Sequence, residues 1–216
     1  GPVISMDSKG RRIILAGDKG GVVTAMLADT GESLWKTKVG RGGVVAGINF
    51  GLAAYDGKVF VPISDVPDGR VYDEPARPGV YALNVDNGEY VWRAPAGKDV
   101  CNGRPGCNPG YSAAISVTED YVLAGSNEGW LRAFDINNGQ VLWEFDTTDA
   151  FTAVDGRTAR GGSIGGGQAP LVVGDRLILN SGYAFAGKMP GNALLVLRLP
   201  PNQAQVAQKS TKRVAK

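Results

Sequence analysis

At 216 residues the chain is long enough for one large all-β domain or two small domains. Hydrophobic residues make up 43%, enough for a packed core, and a formal charge of +2 implies neither nucleic acid nor an anionic membrane as partner. Histidine is absent, which excludes a Ser-His-Asp triad, a His-ligated zinc and haem held by a protein imidazole or a CxxCH site. No run is long and apolar enough to span a bilayer.

In chain order, four units follow one scheme. The first reads "RIILAGDKG", "GVVTAML", "ADTG", "ESLW", ending at Trp35. The second reads "GKVFVPISD", then a long insertion, then "GVYALNV", "DNG" and "EYVW", ending at Trp92. The third reads "DYVLAGSNEG", "WLRAFDI", "NNG", "QVLW", ending at Trp143. A fourth keeps "DRLILNSGY" and "GNALLVLRL" but reaches no Gly-Trp pair. The turn glycines Gly31, Gly88 and Gly139 stand 57 and 51 residues apart.

Asp-Thr-Gly, Asp-Asn-Gly and Asn-Asn-Gly supply the positive φ of tight hairpins, and their flanks are β-branched and aromatic. Units near 50 residues with four short strands predict an all-β propeller of four-stranded blades. The expected units are approximately 1–40, 41–97, 108–147 and 161–200, within a partial propeller over 1–200. Glycine-rich "GGVVAGINFG", "GYSAAISV" and "GGSIGGGQAP" are expected as the innermost strands. Trp35, Trp92 and Trp143 are expected to pack between blades. Trp130 breaks the pattern, and either a channel-mouth or a blade-face position suits it. Residues 201–216, with Lys209, Lys212, Arg213 and Lys216 and no acid, read as a basic disordered tail.

Cys101 and Cys107 are the only cysteines, and the Gly-Arg-Pro-Gly between them allows the chain to turn back. A disulfide is expected, with two free thiols or a metal pair as alternatives. A loop this short would stabilise by about 2 kcal/mol. An oxidised pair points to a periplasmic or secreted protein.

The repeated "A…D-x-x-x-G…W" pattern resembles the docking repeat of quinoprotein (PQQ-dependent) alcohol dehydrogenases, most closely their polyvinyl-alcohol-dehydrogenase-like branch. "GDKGGVVTAMLADTGESLWKTKVGRGG", "GWLRAFDINNGQVLWEFDT" and "NSGYAFAGKMPGNALLVL" carry the resemblance. It implies an eight-bladed ring holding PQQ beside Ca²⁺, of which about half is present. It also implies that Lys19 contacts the quinone oxygens, where an ammonium stabilises charge that develops on reduction. Asn49 matches a cofactor-bonding asparagine, while Phe50 stands where many relatives have tryptophan. A solvated turn lysine and a structural amide are the plainer readings of Lys19 and Asn49. Ser112, Ser163, Arg132, Tyr183 and Asn192, with Trp130, are further cofactor-binding candidates expected near the channel or its rim. For Arg132, salt bridging between blades is the alternative.

The family's catalytic aspartate and most calcium ligands lie upstream of its lysine blade, so no catalytic residue and no metal ligand is expected within this chain. It opens "GPVISMD", and missing N-terminal blades or a second chain are expected to complete the ring. The function implied is alcohol oxidation, of a polymer such as polyvinyl alcohol, with electrons passing to a cytochrome. Two other functions compete: a non-catalytic propeller scaffold, similar to outer-membrane assembly lipoproteins, and a sugar- or polymer-binding propeller.

Overall fold

The structure is a computed structural model that describes residues 1–198. The expected basic tail lies outside the described residues. Three sheets are four-stranded antiparallel meanders. The first comprises β1 (Val3–Met6), β2 (Arg12–Gly17), β3 (Val22–Leu27) and β4 (Ser33–Lys38). The second comprises β5 (Ala53–Tyr55), β6 (Lys58–Ile63), β7 (Gly79–Asn84) and β8 (Tyr90–Pro95). The third comprises β9 (Ser116–Val117), β10 (Tyr121–Gly125), β11 (Trp130–Asp135) and β12 (Val141–Asp146). A hairpin of β13 (Ala150–Thr152) and β14 (Thr158–Arg160) follows, which the repeat pattern did not predict. Last come β15 (Leu171–Val173), β16 (Arg176–Ser181) and β17 (Ala193–Arg198), three strands of a fourth sheet. Among the described residues the only helical turn is a short 3-10 segment at Phe185–Gly187.

The sheets stack face to face as propeller blades, and strand alternation explains why both faces are apolar. Successive side chains point to opposite faces. In β6, Val59, Val61 and Ile63 enter the core shared with the first sheet, while Phe60 enters the core shared with the third. In β10, Val122 and Ala124 face the second sheet while Leu123 faces the fourth. Three inter-sheet layers therefore make up the core.

The turn between third and fourth strands is the same three times. The amides of Gly31, Gly88 and Gly139 donate to the carbonyls of Leu27, Asn84 and Asp135, each at 2.9 Å. All three glycines have φ between 71° and 74°. A bulge follows in each sheet, at Ala25/Met26, Ala82/Leu83 and Ala133/Phe134. Each turn is also a seat. Trp35 Nε1 donates to Val85 O at 2.8 Å and its ring lies where a Cβ on Gly88 would be. Trp92 Nε1 donates to Ile136 O at 3.0 Å and its ring lies likewise against Gly139. Trp143 stacks on Phe145 with centroids 6.0 Å apart and remains 41% exposed.

The glycine-rich segments differ from expectation. Residues 42–51 and 161–170 form no strand, and 110–117 pairs only at Ser116–Val117. They are crossings that lead into β5, β9 and β15. Their glycines relieve close backbone approach rather than build strands: a Cβ on Gly47 would run into Lys19 O, and one on Gly162 into Pro190 O.

Asp65 fixes the first of these crossings. It is 2% exposed and its carboxylate accepts the backbone amides of Arg41, Gly42, Gly47 and Arg77 at 2.6–3.1 Å. It therefore ties the 41–47 crossing to the insertion after β6.

Two stability outcomes follow from these contacts. In denaturant unfolding, Trp92→Ala should cost about 3–5 kcal/mol, whereas Trp143→Ala should cost under about 1 kcal/mol. Asp65→Ala leaves four amides without their acceptor and should cost about 3 kcal/mol or more in the same measurement.

Candidate functional site

The loop between second and third strands emerges at the same end of every sheet. These loops are Asp18–Gly21 in the first sheet, the 64–78 insertion in the second, Ser126–Gly129 in the third and Gly182–Asn192 in the fourth. First strands of adjoining sheets touch, β1 with β5 and β5 with β9, so they line the inner side of the array.

Lys19 lies in the first of these loops. The loop is gripped by the 42–49 crossing: Ile48 N–H donates to Asp18 O at 3.0 Å, and Gly43 N–H to Lys19 O at 3.1 Å. The crossing ends in Asn49, whose Oδ1 accepts from Lys19 Nζ at 2.5 Å. Partial burial holds the Lys19 ammonium below its ordinary pKa. Phe50 follows at once and meets Tyr183 edge-on, with centroids 6.0 Å apart. Tyr183 belongs to the fourth sheet's loop, whose Lys188 has Nζ 5.8 Å from the Tyr183 ring centre. Lys19, Asn49, Phe50 and Tyr183 thus converge from three sheets.

The other candidates lie elsewhere. Ser112 donates to Asn127 Oδ1 at 2.8 Å and Ser163 to Asn127 O at 2.6 Å, both fully buried. These hydroxyls brace the third sheet's loop and have no free face for a ligand. Ser163 also orders the fourth loop: its carbonyl accepts Tyr183 N–H at 2.9 Å and its hydroxyl accepts Met189 N–H at 3.0 Å.

Arg132 is bound by Glu128 at 3.0 Å, Glu144 at 3.2 Å and the Tyr111 hydroxyl at 2.9 Å. These ion pairs lie within one sheet rather than between blades, and they occupy the guanidinium. Burial pushes Tyr111 up to about 12, so it stays a neutral partner. Trp130 lies on the third strand, one further out than the inner pair, and lines a cleft of about 400 Å³ with Tyr111, Arg132 and Glu144. Its Nε1 is buried without a hydrogen-bond partner. Asn192 shares a cleft of about 300 Å³ with Tyr183, but its Oδ1 is held by Arg160 N–H at 2.9 Å.

Lys188 was not singled out from the sequence. The signal was present: aligning the units puts "AGKMPG" in the same loop as "GDKGG". The Cys101–Cys107 disulfide is formed, and its loop packs on the fourth one, where Gly106 lies against Gly187–Met189.

The comparisons agree with this architecture. The PQQ_2 family, described as outer membrane protein assembly factor BamB, matches residues 19–199. The polyvinylalcohol dehydrogenase of Pseudomonas sp is 38% identical over 195 residues, covering 89% of this chain and 29% of that protein. That of Sphingopyxis sp. (strain 113P3) is 35% identical over 188 residues, covering 85% of this chain and 28% of that protein. The chain thus spans under a third of the length of these relatives. Among solved structures, a europium-containing methanol dehydrogenase superposes with a TM-score of 0.59 at 18% identity, over 92% of this chain and 39% of that one. With the match running from the Lys19 loop through the fourth sheet, this chain belongs to the PQQ_2 family, and its sheets are blades of an all-β propeller.

Proposed function

We propose that this chain is the cofactor-contacting part of a PQQ-dependent dehydrogenase that oxidises an alcohol, with a polyvinyl-alcohol-like polymer as substrate. The observation that carries the reading is Lys19, held by Asn49 beside the Phe50–Tyr183 pair, in a chain similar to polyvinylalcohol dehydrogenases. The residues present fit the cofactor. PQQ is a planar anionic quinone, and this rim offers an accessible ammonium, an amide and two aromatic rings. Bound there, PQQ supplies the two-electron acceptor for the alcohol. Lys19 would hold positive charge at its carbonyl oxygens, and Asn49 would fix the direction of the ammonium.

Calcium fits less well. Among the described residues no cluster of three or more Asp, Glu, His or Cys gathers. The general base and the electron-accepting cytochrome are assigned to the rest of the protein and its partners. The disulfide favours a periplasmic or secreted setting.

Further blades are proposed to cover the end sheets. Ile4 and Met6 of β1 are 70% and 52% exposed, and Leu194 and Val196 of β17 are 66% and 56% exposed. Apolar rows of this kind mark a packing surface.

The family's BamB description favours a second reading, a scaffold whose rim binds other proteins. The intact protein supplied with PQQ and Ca²⁺ separates the two. Quinone absorbance and alcohol-dependent dye reduction are expected, and Lys19→Ala should lower kcat about 100-fold. Wild-type protein with neither signal would overturn the cofactor reading.

A further inference from the structure

The cofactor reading leaves Lys188 without a role, yet its placement is the least ordinary of any charged side chain in the fold. The residue is only 7% exposed. Among the described residues no carboxylate or other acceptor pairs with its Nζ, and the nearby group that acts on it electrostatically is another cation, Lys19. Burial first, and then the Lys19 charge, hold its pKa below the ordinary lysine range. An ammonium partly withdrawn from water favours an anionic partner, and a second positive charge nearby strengthens that need.

The surroundings hold the loop that carries Lys188 in place. Ser163 clamps the loop on both sides, at Tyr183 N–H and at Met189 N–H. Ala186 adopts a left-handed φ of 56° just before it. The disulfide loop closes from above, with Gly106 so near the backbone of Gly187–Met189 that no Cβ would fit. The stem is covered by these neighbours, while Nζ emerges 5.8 Å from the Tyr183 ring centre, where it can meet a ligand and feels the Lys19 charge. Two cations brought together with no acid between them are complementary to an anion with more than one negative group.

We propose that Lys188 is a second ligand-binding lysine that works with Lys19 as a clamp on one planar polyanion, Lys188 taking a ring carboxylate of the quinone cofactor. The assignment rests on the cofactor reading above for the identity of that polyanion. Tyr183, edge-on to Phe50 and beneath Lys188, supplies an aromatic wall to the same site.

The test is an equilibrium titration of the intact protein, read by tryptophan fluorescence. The probes are PQQ and the redox-inert planar anion benzene-1,3,5-tricarboxylate. Thermal unfolding of each apoprotein is measured in parallel. Lys188→Met and Lys188→Gln should each weaken binding of both probes about tenfold or more, the usual loss of a charge-assisted contact. The same apoproteins should unfold at or above the wild-type temperature, because the substitutions remove a partly desolvated charge that Lys19 repels. Wild-type affinity for PQQ in both variants overturns the clamp and leaves the cofactor reading intact. Lower apoprotein unfolding temperatures in both overturn the premise that Lys188 lacks a structural partner. Wild-type protein that binds the tricarboxylate but not PQQ keeps the anion site and overturns the quinone as its ligand. Binding of neither probe overturns both.

Discussion

The contact on which the fold depends is an indole lying on the turn glycine of the next sheet. The ladders hydrogen-bond strands within each sheet, and the three core layers between sheets are held largely by side chains. Side-chain packing alone is non-directional and tolerates sliding. Trp35 and Trp92 remove that freedom because each ring needs a glycine beneath it and each Nε1 needs one particular carbonyl. Glycine at 88 and 139 meets two demands at once, a φ near 70° for the turn and bare space for the ring. The angles among the first three sheets are thereby set, while Ser163 ties the fourth sheet's loop, with Tyr183 and Lys188, to the loop of the third.

The repeat could be read from the sequence because its chemistry is local. Asp-Asn-Gly forms its turn from neighbouring residues, and the alternation of Val59, Phe60 and Val61 announces a strand with two buried faces. The glycine-rich crossings were misread as strands for a related reason. Glycine records that something comes close, not what does. At Gly47 the neighbour is the Lys19 carbonyl, 28 residues away in the chain. The β13–β14 hairpin has no counterpart in the other units and left no periodic trace.

Site residues divide in the same manner. Lys19 and Asn49 are legible through family resemblance because both sit in loops with a fixed place in the repeat. Ser112, Ser163 and Arg132 were read as facing the channel or its rim, and their side chains are engaged by protein partners instead. Whether a buried hydroxyl faces a ligand or the Asn127 backbone depends on contacts that sequence spacing does not encode. Asp65 carried no signal at all. A lone aspartate in a Pro- and Asp-rich insertion looks like surface, yet it accepts four amides and is 2% exposed.

The end sheets extend the docking logic. In β17, Ala193 and Leu195 enter the core while Leu194 and Val196 stand out, so the strand is apolar on both faces. A strand with one solvated face alternates apolar with polar, as antiparallel sheets commonly do. The outward row of β17 has instead the composition of β6 or β10, strands covered on both sides. Trp143 makes the same point from the third sheet. Its unit has the bulge and strand that deliver Trp35 and Trp92 to their seats, but among the described residues it stacks only on its own sheet's Phe145. Faces and ring alike have the character of the surfaces that the described sheets bury against one another. That supports the proposal that sheets one and four are internal blades of a longer array, whose added loops would join the same rim.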